Sequence, residues 1–332
     1  NMMDTDGSRV RKFRIGDRAK GAPLLQPGPH SFDGAYTKMT IDWRGYKLQV
    51  ESAAIGLKNV ILIRPLAETK QGGRLVVIPE SLWKRGNTLS VDSLGFTLAS
   101  RDKVVEIKTY IEGELLEKKG RELILSLDTP VAICCGENME LDEAIAFIND
   151  RARDFINSNQ KKFGENYDCY NAMQSVLAWD NIYDPGIRRV ITPVSRIWSS
   201  EWFASEDFGG FTLFCWDTYF ASMMLAVGNK ELAYANAVEI TKAITESGFV
   251  PNCFYSNNFK SRDRSQPPVG SLAVWTLYKQ YQEKWFLELL YKELLAWNRW
   301  WSRNREDGGL LCLGSNPYEK VTYFRSEFDT DC

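Results

Sequence analysis

The chain has 332 residues, of which 25% are charged and 13% aromatic, with a formal net charge of -2, one histidine and seven cysteines. Near-neutral charge with both signs interspersed excludes the electrostatic footprint that nucleic acid or an anionic membrane surface requires, and favours a neutral ligand. A lone histidine, His30, excludes a metal centre with two imidazole ligands and leaves acid–base chemistry to carboxylates.

The length allows two domains of ordinary size. Cysteines odd in number, with Cys134 and Cys135 adjacent, show no zinc or redox spacing and read as reduced thiols. No apolar run reaches the length of a membrane span and no leader-like segment precedes the first domain, so a cytoplasmic location and no membrane partner are expected.

His30 falls in a Pro-Gly-Pro-His stretch that reads as a loop. Beyond it, Met39, Ile41 and Trp43 alternate with polar residues, and after Arg44-Gly45 so do Tyr46, Leu48 and Val50, which predicts a hairpin with one buried face. Further strands are predicted over 59–63, 74–78, 89–98, 104–111, 122–127 and 131–134, the spacing of a β-sandwich. At Gly136 the period changes: Leu141, Ala144, Ile145, Ile148, Ala152 and Phe155 recur at three and four residues, predicting a connecting helix over 141–162. Helices follow over 170–179, 216–227, 231–247, 269–282 and 284–304. The organisation read from this pattern is a sandwich domain over 1–136, a connecting helix over 137–166 and a helical domain over 167–332.

Two long loops, 182–211 and 248–268, lead into or contain most of the unusual sequence, and long loops tend to carry function. In Gly209-Gly210-Phe211-Thr212-Leu213-Phe214-Cys215-Trp216-Asp217-Thr218-Tyr219-Phe220 a glycine pair leads into an aromatic helix start with one carboxylate. Sugars bind such combinations, C–H faces on the ring and hydroxyls on the carboxylate. Residue type alone favours the plainer account, a helix-capping Asp217 and a core Trp216. In the second loop Gly248-Phe249-Val250-Pro251-Asn252 precedes Ser261-Arg262-Asp263-Arg264-Ser265-Gln266-Pro267-Pro268. There Asn252, Arg264 and Gln266 supply polar groups suited to a polyol, and the prolines fit the first turn of the next helix. The plain alternative is a surface ion-pair cluster of Arg262, Asp263 and Arg264. A third segment, Trp297-Asn298-Arg299-Trp300-Trp301, reads as structural, with one of the adjacent tryptophans in the core and the other at a helix contact.

Together these segments resemble glycoside hydrolase family 63 and its mannosylglycerate-hydrolase-like relatives, with the trehalases of family 37 as neighbours. The resemblance runs from about Tyr170 onward and is carried by Cys215-Trp216-Asp217-Thr218-Tyr219-Phe220, Gly248-Phe249-Val250-Pro251-Asn252 and Arg264-Ser265-Gln266-Pro267-Pro268. It implies an N-terminal β-sandwich followed by an all-α (α/α)6 toroid, and an inverting mechanism without cofactor or metal. By the same resemblance Trp216, Asp217, Asn252, Arg264 and Gln266 line the subsite for the terminal sugar of a small oligosaccharide or glycoside.

Two departures accompany it. Trehalases carry an arginine where this chain has Phe211, and the family's Glu-Ser-Gly-x-Asp segment is absent after Leu313-Gly314-Ser315-Asn316-Pro317. Ser326-Glu327-Phe328-Asp329 lacks the pattern, so the general acid and base are expected beyond Cys332 and no catalytic residue is assigned. Five helices are fewer than half of the twelve such a toroid needs, so an incomplete toroid is expected. The activity expected of the parent protein is removal of terminal α-linked glucose from short oligosaccharides. The alternatives are a mannosylglycerate-type hydrolase or trehalase relative, and a non-catalytic carbohydrate-binding or scaffold fragment.

Overall fold

The alternating and short apolar stretches of the first half build strands, several of them buried at consecutive positions. A computed structural model describes residues 1–10, 20–80, 86–100, 105–184, 188–193, 212–255, 260–261 and 265–313. The chain divides into two compact units, Asn1–Trp179 and Asp180–Cys332.

In the first unit the strands are β1 (Met2–Met3), β2 (Leu24–His30), β3 (Tyr36–Trp43), β4 (Tyr46–Ile55), β5 (Lys58–Pro65) and β6 (Arg74–Val77). They continue as β7 (Gly86–Val91), β8 (Gly95–Ser100), β9 (Glu106–Glu112), β10 (Leu115–Lys119), β11 (Glu122–Ser126) and β12 (Val131–Cys135). An eight-stranded antiparallel sheet runs in the order β2-β3-β4-β5-β12-β9-β8-β7, and a four-stranded one in the order β1-β6-β11-β10. Trp43, Tyr46, Leu48 and Ile63 of the larger sheet pack on Leu75, Leu123 and Leu125 of the smaller, which makes the core of a β-sandwich.

The opposite face of the larger sheet is also covered. Tyr36, Ala53, Val60, Leu62 and Ala132 lie against Ala144 and Ile148 of α1 (Leu141–Phe163). Burial on both sides explains the unbroken apolar run Val60-Ile61-Leu62-Ile63 in β5, and it corrects the expectation that the β3–β4 hairpin buries one face only. Helix α1 starts where expected, with the Glu140 N–H donating to Glu143 Oε2 at 3.1 Å. A short 3-10 turn then leads to α2 (Tyr167–Asp180).

Two further expectations give way. His30 closes β2 rather than sitting in a loop, because the register shift between Pro27 and His30 lets prolines lie in an edge strand. The single strand expected over 89–98 is the β7–β8 hairpin, turned at Asp92, whose Oδ1 accepts the Leu94 N–H at 2.8 Å.

One carboxylate, Glu51, is buried on the face toward α1. It accepts hydrogen bonds from Tyr36 Oη at 2.7 Å, Gln49 Nε2 at 2.7 Å and Arg64. Burial pushes its carboxyl up, but these donors outweigh burial and hold it below its ordinary range. On the smaller sheet Arg9 makes a forked pair with Glu122, at 2.6 and 2.7 Å. Both partners are partly exposed, so Arg9→Ala is expected to cost less than about 1 kcal/mol in a urea titration.

In the second unit β13 (Ile182–Asp184) pairs with β14 (Arg189–Ile191), and β15 (Thr212–Phe214) with β16 (Cys253–Tyr255). Four helices follow the aromatic motif: α3 (Cys215–Leu225), α4 (Lys230–Lys242), α5 (Gly270–Tyr281) and α6 (Lys284–Asn304). A small β17 (Glu306–Asp307) and β18 (Leu310–Leu311) hairpin closes the described part. Asn229 caps α4, its Oδ1 accepting the Leu232 N–H at 2.9 Å. That helix stops at Lys242, short of the expected 247, because Thr245 turns the chain: its N–H donates to Phe249 O at 2.8 Å, and Gly248 adopts φ +101.

Trp297, Trp300 and Trp301 of α6 are all buried. Trp300 is wholly enclosed and Trp301 nearly so; the two rings meet edge-on at 5.5 Å, and Phe249 covers Trp300 at 4.7 Å. Among the described residues no helix is long and apolar enough to cross a membrane.

Candidate functional site

The first turn of α3 is the point where the motif residues meet. A helix start exposes N–H groups without intrahelical partners, and a polar side chain before the helix usually takes one of them. Phe214 stands at that position and offers no acceptor. The acceptors come instead from the distant second loop. Pairing of β15 with β16 sets Phe214 against Cys253, so that the carbonyl of the preceding Asn252 takes the Cys215 N–H at 3.0 Å. Gln266 Oε1 takes the next one, from Trp216, at 2.9 Å. Because a backbone N–H is the donor, the amide oxygen must face it, which leaves the Gln266 NH2 as the group free to donate elsewhere.

Asp217 follows in the third helical position. Burial pushes its carboxyl above the ordinary range, while hydrogen bonds from its own N–H and from Trp216 oppose that shift. Desolvation therefore outweighs the hydrogen bonds that the carboxylate accepts. Trp216 is 38% exposed and Phe220, one turn on, 43% exposed. Their ring centroids lie 6.4 Å apart with planes tilted by 35°. Trp216 is thus a surface ring beside a partly desolvated carboxylate, and the reading that places it in the core does not hold.

Behind this turn the packing is tight. Tyr219 is wholly buried, stacks on Trp297 at 6.0 Å, and shares a hydrogen bond with Thr241 Oγ1 at 2.7 Å. Gly270 gives the two rings room, since a Cβ there would stand 2.8 Å from Tyr219 Cζ and 2.9 Å from Trp297 Cζ3.

Of the five site residues expected from the sequence, the structure brings together Trp216, Asp217, Asn252 and Gln266. Arg264 lies outside the described residues, as do Arg262 and Asp263. Sequence reasoning passed over Ser265, whose hydroxyl is buried beside Gln266, and Phe220, the second exposed ring. Phe220 was legible as the residue four after Trp216 in a helix. The Ser265 contacts span distant parts of the chain and leave no local signal.

Residues 211–318 match the family model described as the mannosylglycerate hydrolase MGH1-like glycoside hydrolase domain. Two mannosylglycerate hydrolases of Selaginella moellendorffii are similar: MGH2, 27% identical, and MGH1, 28% identical, each over 147 residues. Each alignment takes in 35% of this chain and 30% of the relative, so the matched part spans under a third of those proteins. Among solved structures, a bacterial glucoamylase complexed with acarbose aligns with a TM-score of 0.45 and 11% identity, over 82% of this chain and 49% of that one. The helical part of the chain resembles glycoside hydrolases of the mannosylglycerate-hydrolase type, as the motifs around Asp217 and Gln266 implied.

Proposed function

Taking that resemblance as the premise, we propose that the first turn of α3, with the two loop segments that cap it, grips the terminal sugar of an α-glycoside in an exo-acting glycoside hydrolase. One observation carries the reading. Asn252 and Gln266 cap successive N–H groups of the turn that presents an exposed Trp216 and the carboxyl of Asp217. In this arrangement Trp216 packs on a C–H face of the sugar and Asp217 accepts from its hydroxyls. The Gln266 NH2 donates, and the Asn252 side chain supplies both functions.

The hydrolysis fitting this class is inverting. A carboxylic acid protonates the glycosidic oxygen while a carboxylate about 6.5–9.5 Å away activates water for attack on the opposite face. Asp217 serves recognition here, and no residue in the chain is assigned to either proton-transfer role. Among substrates, the named relatives favour an α-mannoside of glycerate over the short α-gluco-oligosaccharides expected from the motifs alone. An (α/α)6 toroid fits the four helices α3 to α6 as two of its hairpins. Support comes from apolar side chains left exposed on them, Met224 of α3 and Leu272 and Trp275 of α5, which neighbouring hairpins would cover.

The test is to titrate the protein with mannosylglycerate, maltose, kojibiose and nigerose while following tryptophan fluorescence, and to assay release of free sugar in parallel. Tighter binding of mannosylglycerate supports the reading. Preference for maltose moves it to the α-glucosidase, and binding without release to the carbohydrate-binding fragment. If no sugar binds at millimolar concentration, the site is not a sugar site.

A further inference from the structure

Three segments that lie far apart in sequence meet at one buried hydroxyl. Ser265 Oγ accepts the indole N–H of Trp297 at 3.1 Å and donates to the Val250 carbonyl at 3.0 Å, with the Gln266 carbonyl also in reach at 3.2 Å. Trp297 is fixed by its stack on Tyr219, so the hydroxyl stands on the least yielding part of the unit. Each of its other partners leads directly to the site. Val250 stands two residues before Asn252, whose carbonyl caps Cys215, and Ser265 adjoins Gln266, whose side chain caps Trp216. A second buried serine, Ser261, ties the same strand again: its hydroxyl accepts the Cys253 N–H at 3.1 Å and its own N–H donates to Cys253 O at 3.0 Å.

We propose that Ser265 is the positioning residue of this site: its hydroxyl joins the Asn252 segment and the Gln266 segment to Trp297, and thereby fixes the caps that hold Trp216 and Asp217. The inference rests on the proposed sugar site for its purpose, though not for its geometry. Ser265 touches no substrate and transfers no proton. Removing its hydroxyl strands a buried indole N–H and frees the Val250 carbonyl, so both caps lose their common anchor.

Amide hydrogen exchange followed residue by residue tests this without depending on any ligand. In Ser265→Ala the Cys215 and Trp216 amides are expected to exchange about tenfold faster, while amides in the interior of α4 keep their rates. Ser265→Thr, which keeps the hydroxyl, restores slow exchange. Ser265→Cys, close in size but a poorer hydrogen-bond partner, speeds the same two amides by less, and it decides the matter if Ser265→Ala does not fold. Wild-type rates at Cys215 and Trp216 in these variants would overturn the proposal, as would uniform acceleration through the whole unit. Methyl α-D-mannopyranoside titrated against the same proteins separates the two ideas. If the parent does not bind it while the exchange result holds, the sugar site fails and the positioning role stands. If the parent binds it and Ser265→Ala leaves both exchange and affinity unchanged, the positioning role fails alone.

Discussion

Asp217→Asn is expected to weaken sugar binding about a hundredfold and to leave the protein at least as stable at pH 7 as its parent. The loss in affinity follows from replacing two charge-assisted hydrogen bonds to sugar hydroxyls by neutral ones, at roughly 1.5 kcal/mol each. The stability argument runs through the raised carboxyl of Asp217. A group with a folded pKa above its unfolded value binds protons more tightly when folded. Its charged form therefore costs stability, and that cost is absent below the unfolded carboxyl pKa of about 4 and grows as pH rises through the folded value. Melting temperatures from pH 3.5 to 8 should run together in acid and separate at neutral pH, with Asn the higher. A large fall in melting temperature for Asn at pH 7, with sugar affinity intact, would mean that the carboxylate serves the helix and not a ligand.

The second large effect is expected at Gly270. A methyl there would meet Tyr219 Cζ at 2.8 Å, Leu294 Cδ2 at 2.9 Å and Trp297 Cζ3 at 2.9 Å, three side chains from two helices, two of them buried rings stacked on each other. Overpacking of this kind costs about 1–3 kcal/mol. Since two of the three are the stacked rings behind the site, Gly270→Ala should weaken sugar binding as well as lower the unfolding midpoint. Denaturation of the purified variant checks the first and a titration the second; an unchanged midpoint would show that Leu294 and the rings can move aside.

How much of this could be read from the chain depends on the range of the forces involved. Strands β3 and β4 and helices α1 and α6 announce themselves because apolar residues recur in their sequences with the period of the element, and β5 and β11 because each is a short apolar run rich in Val, Ile and Leu. Strand β2 does not, since Pro27, Gly28 and Pro29 lack strand propensity and only edge pairing to β3 makes them one. The turn at Asp92 gives no break in the pattern because apolar residues alternate with polar ones on both sides of it, Leu89 and Val91 before and Leu94, Phe96 and Leu98 after. In the site, Trp216 and Asp217 are legible as a pair on one helix turn. That Gln266 caps that turn is not, for a side chain 50 residues away acts through tertiary structure alone. With its oxygen engaged by the Trp216 N–H, Gln266 has its NH2 left to offer a ligand.

The caps of α3 also set an order of events. Cys215 and Trp216 find their acceptors a long stretch of chain later, and on the proposed role of Ser265 those acceptors depend in turn on Trp297. A ribosome adds only about 5–20 residues per second, so the first turn of α3 is expected to wait, uncapped, for the chain that carries its acceptors and then for α6. Residues 215–217 should accordingly be among the last parts of the unit to settle during refolding, and a nascent chain halted before Trp297 would carry the aromatic motif without the site.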